Sequence, residues 1–162
     1  MTPPTPSLHD AGAMSDAELH RGAEDLLRKR LAPFDAELQR LPEFSDTCAV
    51  LRSGGRALVV RILVRTGPHV RGRTTGRLGM HWMLRSDIED IVALVDRNRQ
   101  KVWLMPSVEF RKRASPQRDG RWHLDWLLEP SPRSRWPEEG DMEAYLVENC
   151  AARLLEMEKT KA

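Results

Sequence analysis

The sequence has few of the features that mark secreted, membrane or zinc-binding proteins. It contains two cysteines, Cys48 and Cys150, and neither lies in a Cys-x-x-Cys motif or beside a histidine at ligand spacing. That spacing excludes zinc-ribbon and thioredoxin-type sites. Both thiols lie in apolar segments, so we expect buried free cysteines rather than a disulfide. No apolar run approaches the roughly 20 residues of a membrane helix, so the sequence predicts a soluble, cytoplasmic protein without membrane contact.

The motifs of common nucleotide-dependent and hydrolytic enzymes are also missing. There is no P-loop, dinucleotide fingerprint, Ser/His/Asp signature or EF-hand loop. The first 14 residues contain three prolines and no apolar periodicity, and they lack the pattern of a signal peptide. We therefore expect a flexible leader at 1–14 and a single domain at 15–162.

Acidic residues are absent from one long segment of the chain. Between Thr47 and Ser86 there is no aspartate or glutamate but there are eight arginines, although the net charge is only +2. They are Arg52, Arg56, Arg61, Arg65, Arg71, Arg73, Arg77 and Arg85. Because the acids lie elsewhere, the folded surface can present a concentrated positive field to a polyanion. The segment predicts a nucleic-acid partner, and solvated arginines that serve only solubility are the alternative.

The order of helix and strand patterns predicts an α/β or α+β domain. Ser15 and Glu18 have the spacing of a capping box, and apolar residues follow at helical intervals until Pro33. Strands are predicted at 46–51, 57–66, 78–84, 91–95 and 102–105, with an edge strand or helical turn at 122–128 and a closing helix at 141–158. The expected architecture is a central mixed sheet flanked by an N-terminal and a C-terminal helix.

Four parts of the sequence resemble one nuclease superfamily. The run Arg21-Gly-Ala-Glu24 begins the first helix, Asp46 stands at the head of the next strand, and Gly54-Gly55 follows in the hairpin turn. The run at 62–66 reads Ile-Leu-Val-Arg-Thr, and the hairpin at 90–106 ends in proline. Together they resemble the PD-(D/E)XK, or restriction-endonuclease-like, superfamily, in the branch of Holliday junction resolvases and intron-associated homing endonucleases. The resemblance covers about residues 20 to 110.

The resemblance implies a set of active-site positions. Members of this family hold Mg²⁺ between carboxylates, and a lysine steadies the attacking water. The matching positions here are Glu24 and Asp46, with Asp46 as the metal ligand, then Leu63 in place of the second acid and Arg65 in place of the lysine. Leu63 offers no oxygen, and Arg65 stays protonated, so it suits phosphate binding better than positioning water.

Strand alternation supports the same interpretation. It places Arg61, Leu63 and Arg65 on one face of the strand and Ile62 and Val64 on the other, buried face. The face that holds a metal in the family is therefore expected to be basic. It could grip a phosphodiester backbone without cutting it.

The sequence thus predicts a catalytically degenerate, nuclease-like protein that binds nucleic acid, DNA rather than RNA, without a cofactor. A homo-oligomer or a larger assembly is plausible for this fold. One alternative is an active Mg²⁺-dependent endonuclease that recruits a carboxylate from Asp87, Glu89 or Asp90, although the spacing of Ser86 and Glu89 favours a helix start there. Another is a non-enzymatic subunit whose basic face meets an acidic protein partner.

Histidines and tryptophans give weaker signals. His69 and His81 could serve a one-metal nuclease, but neither has a second histidine at ligand spacing. His123 is expected to pack between Trp122 and Trp126. The five tryptophans are assigned to the core or its rim, and stacking of Trp122 or Trp136 on unpaired bases is the alternative.

Overall fold

The computed structural model describes residues 15–40, 47–70, 76–85, 88–129 and 136–160, which form three layers. The α-helices are α1 (Asp16–Leu31), α2 (Ser107–Arg113) and α3 (Val147–Thr160), with 3-10 turns at Ala32–Phe34 and Glu139–Tyr145. The strands are β1 (Glu37–Gln39), β2 (Cys48–Ser53), β3 (Arg56–Arg65), β4 (His69–Val70), β5 (Leu78–Leu84), β6 (Ile91–Asp96), β7 (Lys101–Pro106), β8 (Ser115–Pro116) and β9 (Trp122–Leu127).

The strands form two sheets. The central sheet has the order β1-β2-β3-β6-β7 and is mixed, because β3 and β6 are parallel whereas the other neighbours are antiparallel. This confirms the predicted mixed sheet with helices packed on it, although α1 and α3 both pack on the same face. The second sheet has the order β4-β5-β9-β8 and is antiparallel. It was not predicted, since β5 was expected to extend the central sheet.

The central sheet is buried on both faces. One face packs under α1 and α3, and Ala23, Val60 and Ala151 belong to that core. The other face packs against the second sheet in a core that contains Trp82, Trp103 and Trp126, whose ring centroids lie 5.0 to 6.1 Å apart. All six residues of β6 are buried, as expected for a strand covered on both sides. The assignment of these three tryptophans to the core is confirmed.

The first helix and the first hairpin follow the sequence pattern. The Ser15 hydroxyl accepts a hydrogen bond from the Glu18 amide at 3.2 Å, and α1 begins at the next residue, Asp16. β2 and β3 pair antiparallel with Cys48 opposite Arg61. Gly54 and Gly55 form the turn with φ of 59° and 80°, a conformation that side chains with a Cβ rarely adopt. The predicted pairing is therefore confirmed.

Three predicted elements differ from the structure. The closing helix is interrupted at Leu146, whose extended backbone pairs with Trp103 of β7, so a 3-10 turn precedes α3. The segment 122–128 forms β9, which lies between β5 and β8 and is not an edge strand. Residues 88–90 are not helical and lead into β6, so the helix start predicted at Glu89 is wrong.

Two short elements, β1 and α2, were not predicted from the sequence. None of the helices in the described ranges is long and apolar enough to span a membrane. The leader at 1–14 lies outside the described residues.

Candidate nucleic-acid interface

A cleft of about 190 Å³ lies where the C-terminal half of β3 meets β5. Its walls come from α1, from the residue before β2 and from the two strands. The lining residues are His20, Thr47, Ile62, Leu63, Val64, Arg65, Trp82 and Met83. Among the described residues, the lining contains an arginine and a histidine but no carboxylate.

The two faces of β3 serve different cores, as the alternation predicted. Ile62 is buried beneath the helices, whereas Leu63 is half-buried and packs against the tryptophan core of the second sheet. The second sheet therefore covers much of the face that was expected to be open and basic. Leucine is the residue type that this contact requires, because a carboxylate here would be desolvated against apolar side chains.

Arg65 and Arg61 are fixed by hydrogen bonds on this face. Arg65 Nε donates to the carbonyl oxygen of His81 in β5 at 2.6 Å. Arg61 Nη1 donates to the hydroxyl oxygen of Thr47 at 2.6 Å. Both guanidinium groups are partly exposed, so positive charge is held in a defined position at the side of the cleft.

Glu89 is a buried carboxylate between two arginines. One of its oxygens lies 3.8 Å from Arg61 Nε, and the other accepts from Arg111 Nη2 at 2.8 Å. Its carbonyl oxygen also accepts from the Ser107 hydroxyl at 2.8 Å. Glu89 therefore joins β3, the start of β6 and α2, and these contacts explain why its segment is not helical.

Asp90 also serves the backbone. Its carboxylate accepts from the Val59 amide, and its own amide donates to the Val59 carbonyl oxygen, both at 2.8 Å. Two of the three acids that could have been recruited to a metal site are thus engaged in structural contacts. The third, Asp87, lies outside the described residues.

The predicted family positions in α1 and β2 are only partly described. Glu24 is buried on α1, one turn after His20, with its oxygens 3.8 Å from Arg28 and from Arg40. Asp46 lies outside the described residues. Within the described ranges, no group of three His, Cys, Asp or Glu side chains could hold a metal ion. Mg²⁺ prefers several hard oxygen ligands, and of the predicted acids Asp46 and Asp87 lie outside the residues that were searched.

Gly22, in the motif that resembles the family's first helix, has a clear packing role. The Arg97 guanidinium, from the turn between β6 and β7, lies over it, and a Cβ atom at position 22 would overlap that group. The glycine therefore allows close contact between α1 and this turn. Arg30 Nη2 supports the same contact by donating to the Gln100 carbonyl oxygen at 2.7 Å.

The arginines that the sequence grouped together lie in separate places. Arg52 is exposed beside Gln39, and Arg56 begins β3. Arg65 ends that ten-residue strand, about 30 Å from Arg56 at the usual rise of about 3.3 Å per residue. The exposed Arg77 and Arg85 flank β5, while Arg71 and Arg73 lie outside the described residues.

His81 and its partners form a buried pair that the sequence did not reveal. Its Nδ1 lies 2.8 Å from the Asp125 carboxylate, and its Nε2 lies 3.2 Å from the His69 carbonyl oxygen. Both ring nitrogens are thus engaged with protein oxygens, which disfavours metal ligation. The prediction that His123 packs between tryptophans is wrong, because alternation along β9 places it opposite Met83, on the face away from Trp122.

Arg121 is a further basic residue near the cleft. Its Nη1 lies 3.5 Å from the sulfur of Met83, which lines the cleft, and its Nε lies 2.9 Å from Asp119. No pattern in the sequence places Arg121 beside β3. The approach depends on β9 pairing with β5.

Both cysteines are free and buried, as predicted. Burial raises the pKa of the Cys150 thiol to about 11, and burial also raises the pKa of Cys48. Neither thiol is a ready nucleophile at neutral pH, because the thiolate is the reactive form.

A second ion network joins the turn between β6 and β7 to the 3-10 turn at Glu139–Tyr145. Arg99 donates to both carboxylate oxygens of Glu139, at 2.7 and 2.6 Å, and Lys101 Nζ lies 3.2 Å from Glu139. Burial alone would raise the pKa of Glu139. The hydrogen bonds and charges of Arg99 and Lys101 outweigh burial and hold the pKa below its usual range.

We expect this network to make the fold sensitive to acid. Because the folded-state pKa of Glu139 is lowered, its contribution is complete above the ordinary glutamate pKa of about 4.3 and is lost as the pH falls through the folded value. Urea unfolding between pH 7 and pH 3 should show a shallower loss of stability in Glu139→Gln than in the unmodified protein. Equal slopes would contradict the role of this carboxylate.

Comparison with solved structures finds a similar fold in a bacterial homing endonuclease, I-Ssp6803I. The match has a TM-score of 0.60 and 11% sequence identity, and it covers 93% of this chain and 100% of that chain. No protein-family model matches the sequence, and no curated protein matches it. At this identity the similarity shows the fold alone. The chain therefore has a nuclease-like fold.

Proposed function

We propose that the protein binds DNA beside the β3–β5 cleft without hydrolysing it, as a PD-(D/E)XK-like domain whose catalytic positions have degenerated. The observation that carries the proposal is the position of Leu63. It occupies the strand face where the family has an acid, and it packs against the tryptophan core. A residue in that contact cannot supply an oxygen ligand.

The chemistry of the surrounding side chains supports the absence of hydrolysis. Metal-assisted attack on a phosphodiester needs oxygen ligands that fix the cation and lower the pKa of its bound water. Glu89 is committed to Arg61 and Arg111, and Asp90 to the Val59 backbone. Both Glu89 oxygens face arginines, so Glu89 would have to give up a buried ion pair to bind a cation.

Arg65 supports the binding part of the proposal. A guanidinium remains charged at any working pH and presents several donors in one plane, a geometry that matches phosphate oxygens. Its Nε is held by the His81 carbonyl oxygen, so the group is oriented before DNA arrives. The similarity to an endonuclease fold favours a nucleic acid over an acidic protein as the partner.

Cleavage assays test the proposal directly. Purified protein with Mg²⁺ or Mn²⁺ is expected to leave supercoiled, linear and branched DNA uncut, while fluorescence anisotropy at low salt detects binding to the same DNA. Robust metal-dependent cleavage that disappears in Asp46→Ala would contradict the proposal that the catalytic positions are inactive, and would show an active nuclease. Absence of binding to any nucleic acid at low salt would favour the protein-partner alternative.

A further inference from the structure

We infer that the β3–β5 cleft accommodates a single unstacked nucleotide of the bound strand, with its base against Leu63 and Met83 and its phosphate at Arg65. The inference rests on the proposed function and adds a substrate class. The protein would prefer DNA that carries an unpaired or extrahelical nucleotide over a fully paired duplex.

The apolar part of the cleft gives the first reason. Leu63 and Met83 are apolar residues that line the cleft, and both are half-buried. The volume of about 190 Å³ is smaller than the roughly 300–1,000 Å³ of pockets for drug-sized ligands. It therefore limits the occupant to one small ring system.

The polar part of the cleft gives the second reason. Thr47, Arg65 and His20 surround the apolar surface, and no acid lines the cleft among the residues that the structure describes. Arg121, which is paired with Asp119, lies beside Met83. An apolar ring next to an anion is the chemistry of a nucleotide. Bases inside a duplex are stacked and cannot enter such a cleft unless they leave the stack.

Two buried ring nitrogens in the lining residues give the third reason. Within the part of the chain that the structure describes, His20 Nδ1 and Trp82 Nε1 have no hydrogen-bond partner. The Trp82 side chain is almost fully buried. Buried polar atoms are nearly always paired, and those that are not call for an explanation such as a missing ligand or water. A base edge carries both hydrogen-bond donors and acceptors, so it is the kind of group that two unpartnered ring nitrogens in the lining residues could bind.

The test compares two DNA duplexes of equal length with the full chain. One is fully paired, and the other carries one extrahelical fluorescent adenine analogue. Stacking on protein side chains is worth on the order of 1–3 kcal/mol per base, so we expect roughly tenfold tighter binding of the second duplex. The fluorescence of the analogue should also change as its base enters the cleft.

Met83→Asn and Met83→Leu provide the matched variants. Met83→Asn should remove most of the preference for the extrahelical duplex, while the apolar Met83→Leu should keep the preference. Equal affinity of the unmodified protein for both duplexes would overturn this inference and leave the proposed function intact. Absence of binding to either duplex would contradict the proposed function itself.

Discussion

Replacing Glu89 by alanine is expected to lower the free energy of unfolding by about 3–5 kcal/mol, the usual cost of removing one partner from a buried ion pair. The Glu89 side chain is fully buried, whereas Arg61 and Arg111 are only 14% and 21% exposed. Without the carboxylate, two like charges remain close together and poorly solvated. We expect β3, β6 and α2 to be destabilised together, because Arg61 lies in β3, Glu89 lies just before β6 and Arg111 lies in α2.

The measurement is urea unfolding of Glu89→Ala beside a control at an exposed ion pair. Asp25 lies 3.0 Å from Arg28 on the surface of α1, with its side chain 61% exposed. Asp25→Ala should change the free energy of unfolding by no more than about 0.5 kcal/mol. If both variants behave alike, the buried triad does not hold the domain together.

A compensated variant separates charge from packing. Replacing Glu89 by leucine together with Arg61→Met and Arg111→Met removes all three charges but keeps side-chain volume, and such replacements are often neutral or stabilising. We expect the triple variant to recover most of the stability that Glu89→Ala loses. Failure to recover would mean that the contacts of Arg61 with Thr47, or the shape of the site, matter more than its charge.

The elements that were predicted correctly from the sequence are stabilised by contacts between residues that are close together in the sequence. The Ser15 cap, the Gly54-Gly55 turn and the hairpin of β6 and β7 each use residues within a few positions of one another. The local signal at Ser86 and Glu89 misled the prediction, because Glu89 contacts Arg61 and Arg111, both more than 20 residues away in sequence. Tertiary ion pairs overrode a capping pattern.

In the candidate site, too, the features set by local sequence were predicted and those set by long-range contacts were not. Alternation along β3 correctly separated Ile62 from Leu63, since it needs only the period of a strand. The second sheet, which covers Leu63 and brings Arg121 to the cleft, was not predictable in this way. It forms because β5 pairs with β9, with His81 opposite Asp125 across 44 positions of sequence. No periodicity in either strand specifies that partner.

Replacing Arg71 and Arg73 together by alanine is expected to weaken DNA binding by a similar factor for unrelated sequences. Both residues belong to the segment that joins β4 to β5, outside the described residues. The His69 carbonyl oxygen, in β4, contacts the His81 ring, and the His81 carbonyl oxygen accepts from Arg65. The end of β4, from which this segment starts, therefore lies close to the proposed phosphate site at Arg65. Each phosphate contact that is lost leaves about one fewer counterion to be released, so the slope of log affinity against log salt should become shallower by about 2.

The double variant Arg52→Ala with Arg56→Ala is the matched control. It also removes two positive charges, but from the β2–β3 hairpin at the opposite end of β3 from Arg65. We expect little change in affinity and no change in salt slope, since Arg52 lies beside Gln39 and the hairpin turn is about 30 Å from Arg65. Anisotropy titrations of one duplex at several salt concentrations measure both quantities. Equal losses from the two double variants would mean that total charge decides binding, whereas a loss only in the control would move the interface to the β2–β3 turn.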